Sequence, residues 1–298
     1  AGHPLLIVPG RDEEARDLAT DLTALLGAEH VALWPSRGAP AGEGVGISPH
    51  LTGQRARAAG VLGTPGQVVV ASAAALAERI PAAAARTGSL AVEVGERVAQ
   101  DAVVDRLSAM GYERVPQVEE RGEMAVRGGL LDVYPSTADG PIRIDWFGDE
   151  VEAIRAFSPF TQKTIRPLQR TEAWAAAEAA DAALVDPLDD PGLRDARVVR
   201  LAPGEYARAM RDAMERFEEE AAAGALADPD AVVQRLEQAA ALDLVTPAGA
   251  DDAAFDALDA RFPTRGMAEA EAEMARLSSG QSRLVVCFAR LGDMERTQ

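Results

Sequence analysis

Residues Glu120–Phe157 read ERGEMAVRGGLLDVYPSTADGPIRIDWFGDEVEAIRAF, and this stretch decides how the middle of the chain folds. It spells three β-strands joined by two turns. The first strand runs from Met124 to Val126 into Arg127-Gly128-Gly129 and resumes from Leu130 to Tyr134. Two adjacent glycines inside an apolar run mark a bulge or a position of positive φ, because an interior strand glycine otherwise only costs entropy. Residues 135–141, PSTADGP, form a loop by composition. Ile142 to Phe147 alternates, and Gly148-Asp149 signals a tight turn before Val151 to Phe157. Period two puts Ile142, Ile144 and Trp146 on one face and Arg143, Asp145 and Phe147 on the other. A large aromatic therefore shares the polar face with an arginine.

Upstream the rhythm differs. The run from Pro4 to Val8 has a buried-strand pattern. Apolar residues at 15, 18, 19, 22, 25 and 26 then follow helical spacing and close at Gly27. Val31 to Trp34 is a second strand, residues 35–49 a Gly/Pro-rich loop, 50–62 a helix and 67–71 a third strand, after which Ser72 caps a short helix. Strands alternating with helices predict a parallel sheet with crossovers. A linking helix from Asp101 to Gly111 precedes the β-rich stretch. Beyond Arg166, residues 171–184 are helix-prone, Arg197 to Leu201 is a short strand, and Tyr206, Met210, Ala213, Met214 and Phe217 make one apolar helical stripe. Asp228-Pro229 opens another helix, and a helix over 267–279 feeds a strand around Cys287.

The expected class is α/β: a parallel-sheet domain carrying an inserted β-rich α+β domain and a further small α/β segment at the C-terminal end. Its expected parts are 1–100, 101–168, 169–247 as completion of the first domain, and 248–298. Ala1 in place of Met, with a strand pattern starting at once, leads to the expectation that the chain is a piece of something longer.

With 48 acidic and 30 basic residues the net charge is −18, which opposes a surface that grips phosphate backbones with many cations. The single cysteine forms no internal disulfide and suits a reducing cytoplasm. No leader and no membrane-spanning run is apparent. His3, His30 and His50 are scattered, so no metal site is expected. A phosphate-cradling loop needs G-x-x-x-x-G-K-[ST]; the only lysine, Lys163, has no glycine ahead of it, and no cofactor is expected in this chain. The acidic pair Asp149-Glu150 reads as hairpin-turn chemistry.

RGEMAVRGGLLDVYP, then PIRIDWFGDEVEAIRAF and Thr161-Gln162-Lys163, resembles the signature of the transcription-repair coupling factors, the Mfd family. It lies in the module they share with the excision-repair helicase subunit UvrB. The resemblance is close over Tyr112–Ile165 and looser back to residue 1. UvrB proteins carry a tyrosine-rich hairpin after their second strand; here Pro35 to Ile47 has no aromatic and one basic residue, a departure that favours the coupling factors. The resemblance implies a degenerate helicase-like fold and a catalytically inert scaffold that recruits UvrA. It also implies that RNA polymerase and DNA are engaged by parts outside this chain, and that the distal C-terminal domain restrains the module. Carried over by position, Arg127, Arg143 and Phe147 fall on the family's partner-binding positions, with Gly128, Gly129 and Gly148 as structural turn residues. Two rivals stay open: a UvrB-type ATP-dependent helicase clipped at its start, since in UvrB the phosphate loop comes just before the strand that Pro4 to Val8 resembles, and a stand-alone adaptor without a motor.

Overall fold

Four-residue apolar runs covered on both faces make the first sheet. The computed structural model describes residues 3–37, 47–178, 182–193, 196–216 and 226–245. Its first half is β1 (Leu5–Val8), α1 (Asp12–Leu26), β2 (Val31–Trp34), α2 (Pro49–Val61), β3 (Val68–Ala71) and α3 (Ala73–Ala77). The strands are parallel, with β3 between β1 and β2. Leu6, Val8, Ala32, Trp34, Val69 and Ala71 face α2 and α3, while Ile7, Val31, Val68 and Val70 face α1. Continuous apolar strands are what a doubly covered parallel sheet requires. Of the stripe predicted on α1, Ala15 and Ala19 are buried, but Leu25 and Leu26 are exposed. Fifteen helical residues extend about 22 Å against about 13 Å for a four-residue strand, so the last turn has no sheet beneath it. Ser48 and Ser72 cap α2 and α3 by accepting from Leu51 N and Ala75 N.

The middle of the chain holds β4 (Ile80–Pro81), β5 (Leu90–Glu93), α4 (Gln100–Ala109), β6 (Glu113–Arg114), β7 (Glu123–Arg127), β8 (Leu130–Val133), β9 (Ile142–Phe147), β10 (Glu150–Phe157), β11 (Thr164–Leu168) and β12 (Arg170–Ala173). Six of these form one sheet in the order β11-β10-β9-β8-β7-β6, antiparallel throughout except for the short β6–β7 pair. Its inner face, with Met124, Leu131, Val133, Ile142, Ile144, Trp146, Val151 and Ile154, packs on Val103, Leu107 and Met110 at α4. The glycine pair is not a bulge inside one strand. Gly128, at φ 58°, and Gly129 turn the chain between two antiparallel strands, so the stretch holds four strands and three turns. A Cβ on Gly129 would lie 3.1 Å from the carbonyl oxygen of Trp146, and the Gly129 carbonyl accepts from Trp146 N at 2.9 Å.

One expectation shifts here. Thr171 to Ala173 lies in β12, paired antiparallel with β5, because a ladder with a distant segment outweighs the helix propensity of an alanine-rich run. Val92, Ala173 and Ala176 pack in the same core cluster as the inner face of the β module.

The chain then returns through β13 (Leu184–Val185), β14 (Arg197–Leu201), α5 (Tyr206–Arg216), α6 (Pro229–Ala239) and β15 (Ala240–Leu244). The first sheet is completed in the order β15-β14-β1-β3-β2, with β14 parallel to β1, so the β module is an insertion between β3 and β14. Tyr206 and Met210 are fully buried, and Arg200 holds β15 to β14 through a bidentate pair with Asp243 at 2.7 and 2.6 Å. Phe217, the helix expected over 267–279, the strand around Cys287, the part 248–298 and residues 38–46 of the Gly/Pro-rich loop lie outside the described residues.

The two domains meet along α2. A Cβ on Gly53 would sit 2.2 Å from Ser136 Oγ, and one on Gly60 would sit 2.5 Å from the Trp174 ring. Behind them Tyr112 Oη donates to the Trp174 carbonyl at 2.9 Å and accepts from Ser136 N at 3.0 Å. Burial pushes the Tyr112 phenol upward, which keeps it a donor. Gly53→Val is therefore expected to destabilise the chain by about 1–3 kcal/mol through overpacking, read as a lower melting temperature. An unchanged melting temperature would mean that the seam is loose.

Candidate partner-binding face

The β module covers one side of its sheet with α4; on the other side Val118, Ala125 and Phe157 form a small buried cluster, and the end from Arg127 and Leu130 to Phe147 is open. Register puts three successive rungs on that open face. Ala125, Asp132, Arg143 and Arg155 form one rung, and Arg127, Leu130, Asp145 and Ala153 form the next. Phe147 opposite Glu150 forms the third, beside the Gly148 turn at φ 63°. The alternation read from the sequence holds: Arg143, Asp145 and Phe147 share this face.

Their surroundings differ. Phe147 is 81% exposed, so it spends no hydrophobic surface on the core. Arg143 is committed internally. Its Nε and Nη2 donate to the two oxygens of buried Asp132 at 2.6 and 2.8 Å, and its guanidinium lies 4.9 Å from the centre of the Phe157 ring. The Asp132 hydrogen bonds push the Arg143 pKa further up. Arg155 makes a salt bridge to Asp145. Arg127 is exposed and donates to the Pro116 carbonyl; among the described residues it has no carboxylate partner. Thus Arg127 and Phe147 are available at the surface, whereas Arg143, further along the same face, is tied to Asp132. Leu130, 37% exposed, was not singled out from the sequence. It sits between Arg127 on the neighbouring strand and Phe147 diagonally across, within reach of an aromatic side chain. The signal that finds it is register, which single-strand alternation does not contain.

A second location bears on chemistry. In open α/β sheets ligands bind beyond the carboxyl ends of the strands. There, after β1, the Asp12 carboxylate accepts from Ser72 Oγ at 2.5 Å and from Ser36 Oγ. The crevice is occupied by an anion belonging to the protein. Nearby, buried Arg55 and Glu78 pair at 2.6 Å, and both carboxylate oxygens of Glu78 accept from Arg37 N at 3.0 Å. No cluster of metal-ligating residues occurs among the described residues, and none of their helices is long and apolar enough to cross a membrane.

Residues 90–178 match the family model of the UvrB interaction domain, the span over which β5 to β12 pack together. The chain is similar to curated proteins described as transcription-repair-coupling factors. It is 33% identical over 168 residues to that of Bacillus subtilis, 36% over 170 residues to that of Mycobacterium bovis and 35% over 184 residues to that of Myxococcus xanthus. These alignments cover 55%, 54% and 59% of the chain. The chain spans only 14%, 14% and 15% of those proteins.

Proposed function

We propose that this chain, which belongs through its UvrB interaction domain to the transcription-repair-coupling-factor (Mfd) family, is a non-catalytic UvrB-like scaffold whose β module recruits UvrA in transcription-coupled nucleotide excision repair. The observation that carries the reading is Phe147, four-fifths exposed on the open face of a hydrogen-bonded sheet whose other side is packed on α4. A large aromatic held on a rigid ladder is the kind of anchor that interfaces use, because little conformational entropy is lost when it is covered. RNA polymerase and DNA would be engaged by other parts of the longer protein, in the cytoplasm. The module would also meet that protein's distal C-terminal domain. Interferometry of the chain against UvrA tests the reading: saturable binding supports it, and no binding of the folded chain removes it.

The same reading assigns no chemistry to the α/β domain. Asp12 fills the crevice where phosphates would sit, and a polyanion would meet its charge as well as the global excess of acid. Calorimetric titration with ATP and magnesium is expected to give no stoichiometric micromolar binding, and duplex or single-stranded DNA is expected to bind only marginally at physiological salt. Tight ATP binding, or DNA affinity that falls steeply with salt, would count against a scaffold without a motor.

A further inference from the structure

At the end of the β module away from Phe147, the hairpin between β10 and β11 exposes a second patch. Phe147 pairs with the start of β10 and this hairpin follows its end, eight residues or about 23 Å of strand away. From Ala153 to Thr171 the chain has no Asp or Glu and holds Arg155, Lys163, Arg166 and Arg170, a local reversal in a chain with 48 acids and 30 bases. Arg155 and Arg170 are paired with Asp145 and Glu93, whereas exposed Lys163 and Arg166 have no ion pair among the described residues. Among them stand Phe160, 94% exposed, and Ile165, 66% exposed. The hairpin that presents them is braced. Ser158 N donates to the Lys163 carbonyl at 2.9 Å, Gln162 N to the Ser158 carbonyl at 2.8 Å and Gln162 Nε2 to the Pro159 carbonyl at 2.8 Å, which holds Gln162 in the left-handed region at φ 59°. Side chains on a fixed loop lose little entropy when covered. β11 is an edge strand, but Pro167 and the irregular register at Ala156–Phe157 blunt it against an added strand, so a partner meets side chains rather than the ladder.

We infer that the β10–β11 hairpin is a second docking surface, separate from the Phe147 face, for a polypeptide segment that mixes carboxylates with large apolar side chains. The carboxylates meet Lys163 and Arg166, and the apolar groups cover Phe160 and Ile165. Charge complementarity selects the first half of that description and exposed apolar surface the second. Lys163 and Arg166 alone, in a chain of net charge −18, are too few to hold a nucleic-acid backbone.

Fluorescence anisotropy of the whole chain with a capped, labelled peptide of Asp-Leu-Glu-Phe repeats tests this, with a version carrying Lys in place of the acids and labelled oligothymidylate as the other arms. Only the acidic peptide should saturate, and its affinity should fall as salt rises. Phe160→Ser and Ile165→Ser should each weaken it about fivefold or more, and Lys163→Gln should weaken it severalfold and flatten the salt dependence. All three should keep the wild-type melting temperature, because the side chains they change are exposed. UvrA binding should be unchanged in Phe160→Ser, which separates this surface from the Phe147 face. Lys163 is the only lysine, so carbodiimide coupling of a peptide carboxylate to an ε-amine should give one adduct, mapped to Lys163 by mass spectrometry. Equal binding of the acidic and basic peptides, acidic-peptide binding unaffected by both serine variants, or no adduct at Lys163 would overturn the assignment. So would oligothymidylate binding that these variants abolish, since the hairpin would then be a nucleic-acid contact. Loss of UvrA binding in Phe160→Ser would merge the two surfaces into one and remove the second.

Discussion

Arg55→Ala is expected to destabilise the chain by about 3–5 kcal/mol, the largest single-residue effect outside the hydrophobic clusters. Arg55 and Glu78 are each only 4% exposed in their side chains, and their 2.6 Å pair lies where α2, the loop after β2 and the end of α3 converge. Truncation leaves Glu78 with the Arg37 amide and only the weaker pull of the Arg37 guanidinium, which is not paired to it. Burial already pushes the Glu78 carboxyl above its ordinary value despite Arg55, which is the strongest influence pulling it down. Without Arg55 it must rise further. A carboxyl whose pKa is higher in the folded than in the unfolded state contributes stability below the unfolded value, about 4.3, and loses it as pH climbs through the folded value. The variant should therefore be relatively less destabilised near pH 5 than at pH 8, measured by urea unfolding at the two values. The double variant Arg55→Met with Glu78→Leu should cost less than Arg55→Ala alone, because no buried charge is stranded and only the Pro35 carbonyl and the Arg37 amide lose a partner. Equal losses at both pH values would mean that water reaches Glu78 and that the pair is not sealed.

That pair was invisible in the sequence, and so was the Asp12–Ser36–Ser72 cluster. The partners are separated by 23 residues in one case and by 24 and 60 in the other, and nothing in local periodicity links them. What local chemistry specifies, it specified well: β2 over Val31–Trp34, the Ser72 cap, the turn at Gly148 and the two faces of β9 follow from patterns within a few residues. Gly128-Gly129 shows where that ends. A bulge and a two-residue turn both use a glycine at positive φ, and only pairing decides between them; Met124 opposite Val133 makes it a turn. The ladder of β5 with β12 lies outside local reach for the same reason, since it forms only when residues 90–93 meet residues 170–173. At the candidate face, alternation placed Arg143 beside Phe147 correctly but gave no sign that Asp132, on the adjacent strand, had already claimed it.

This distinction governs the most informative experiment at the face. Phe147→Ala is expected to lower affinity for UvrA by about 2 kcal/mol, roughly thirty-fold, while leaving the fold intact. An 81% exposed side chain contributes almost nothing to the core, and surface truncations of this kind change stability by no more than about 0.5 kcal/mol. Arg143→Ala should behave differently. It removes both donors from buried Asp132 and the cation from the Phe157 ring, so binding and melting temperature should fall together. Asp132→Asn in the Arg143→Ala background should recover part of the melting temperature by discharging the stranded carboxylate. The pattern across variants therefore carries more than any one loss of signal. If Phe147→Ala lowers the melting temperature as far as Arg143→Ala does, the aromatic is structural and the open face is not a docking surface. If neither variant affects UvrA binding while both remain folded, recognition lies on another face of the chain, and the match to the UvrB interaction domain reports shared architecture alone.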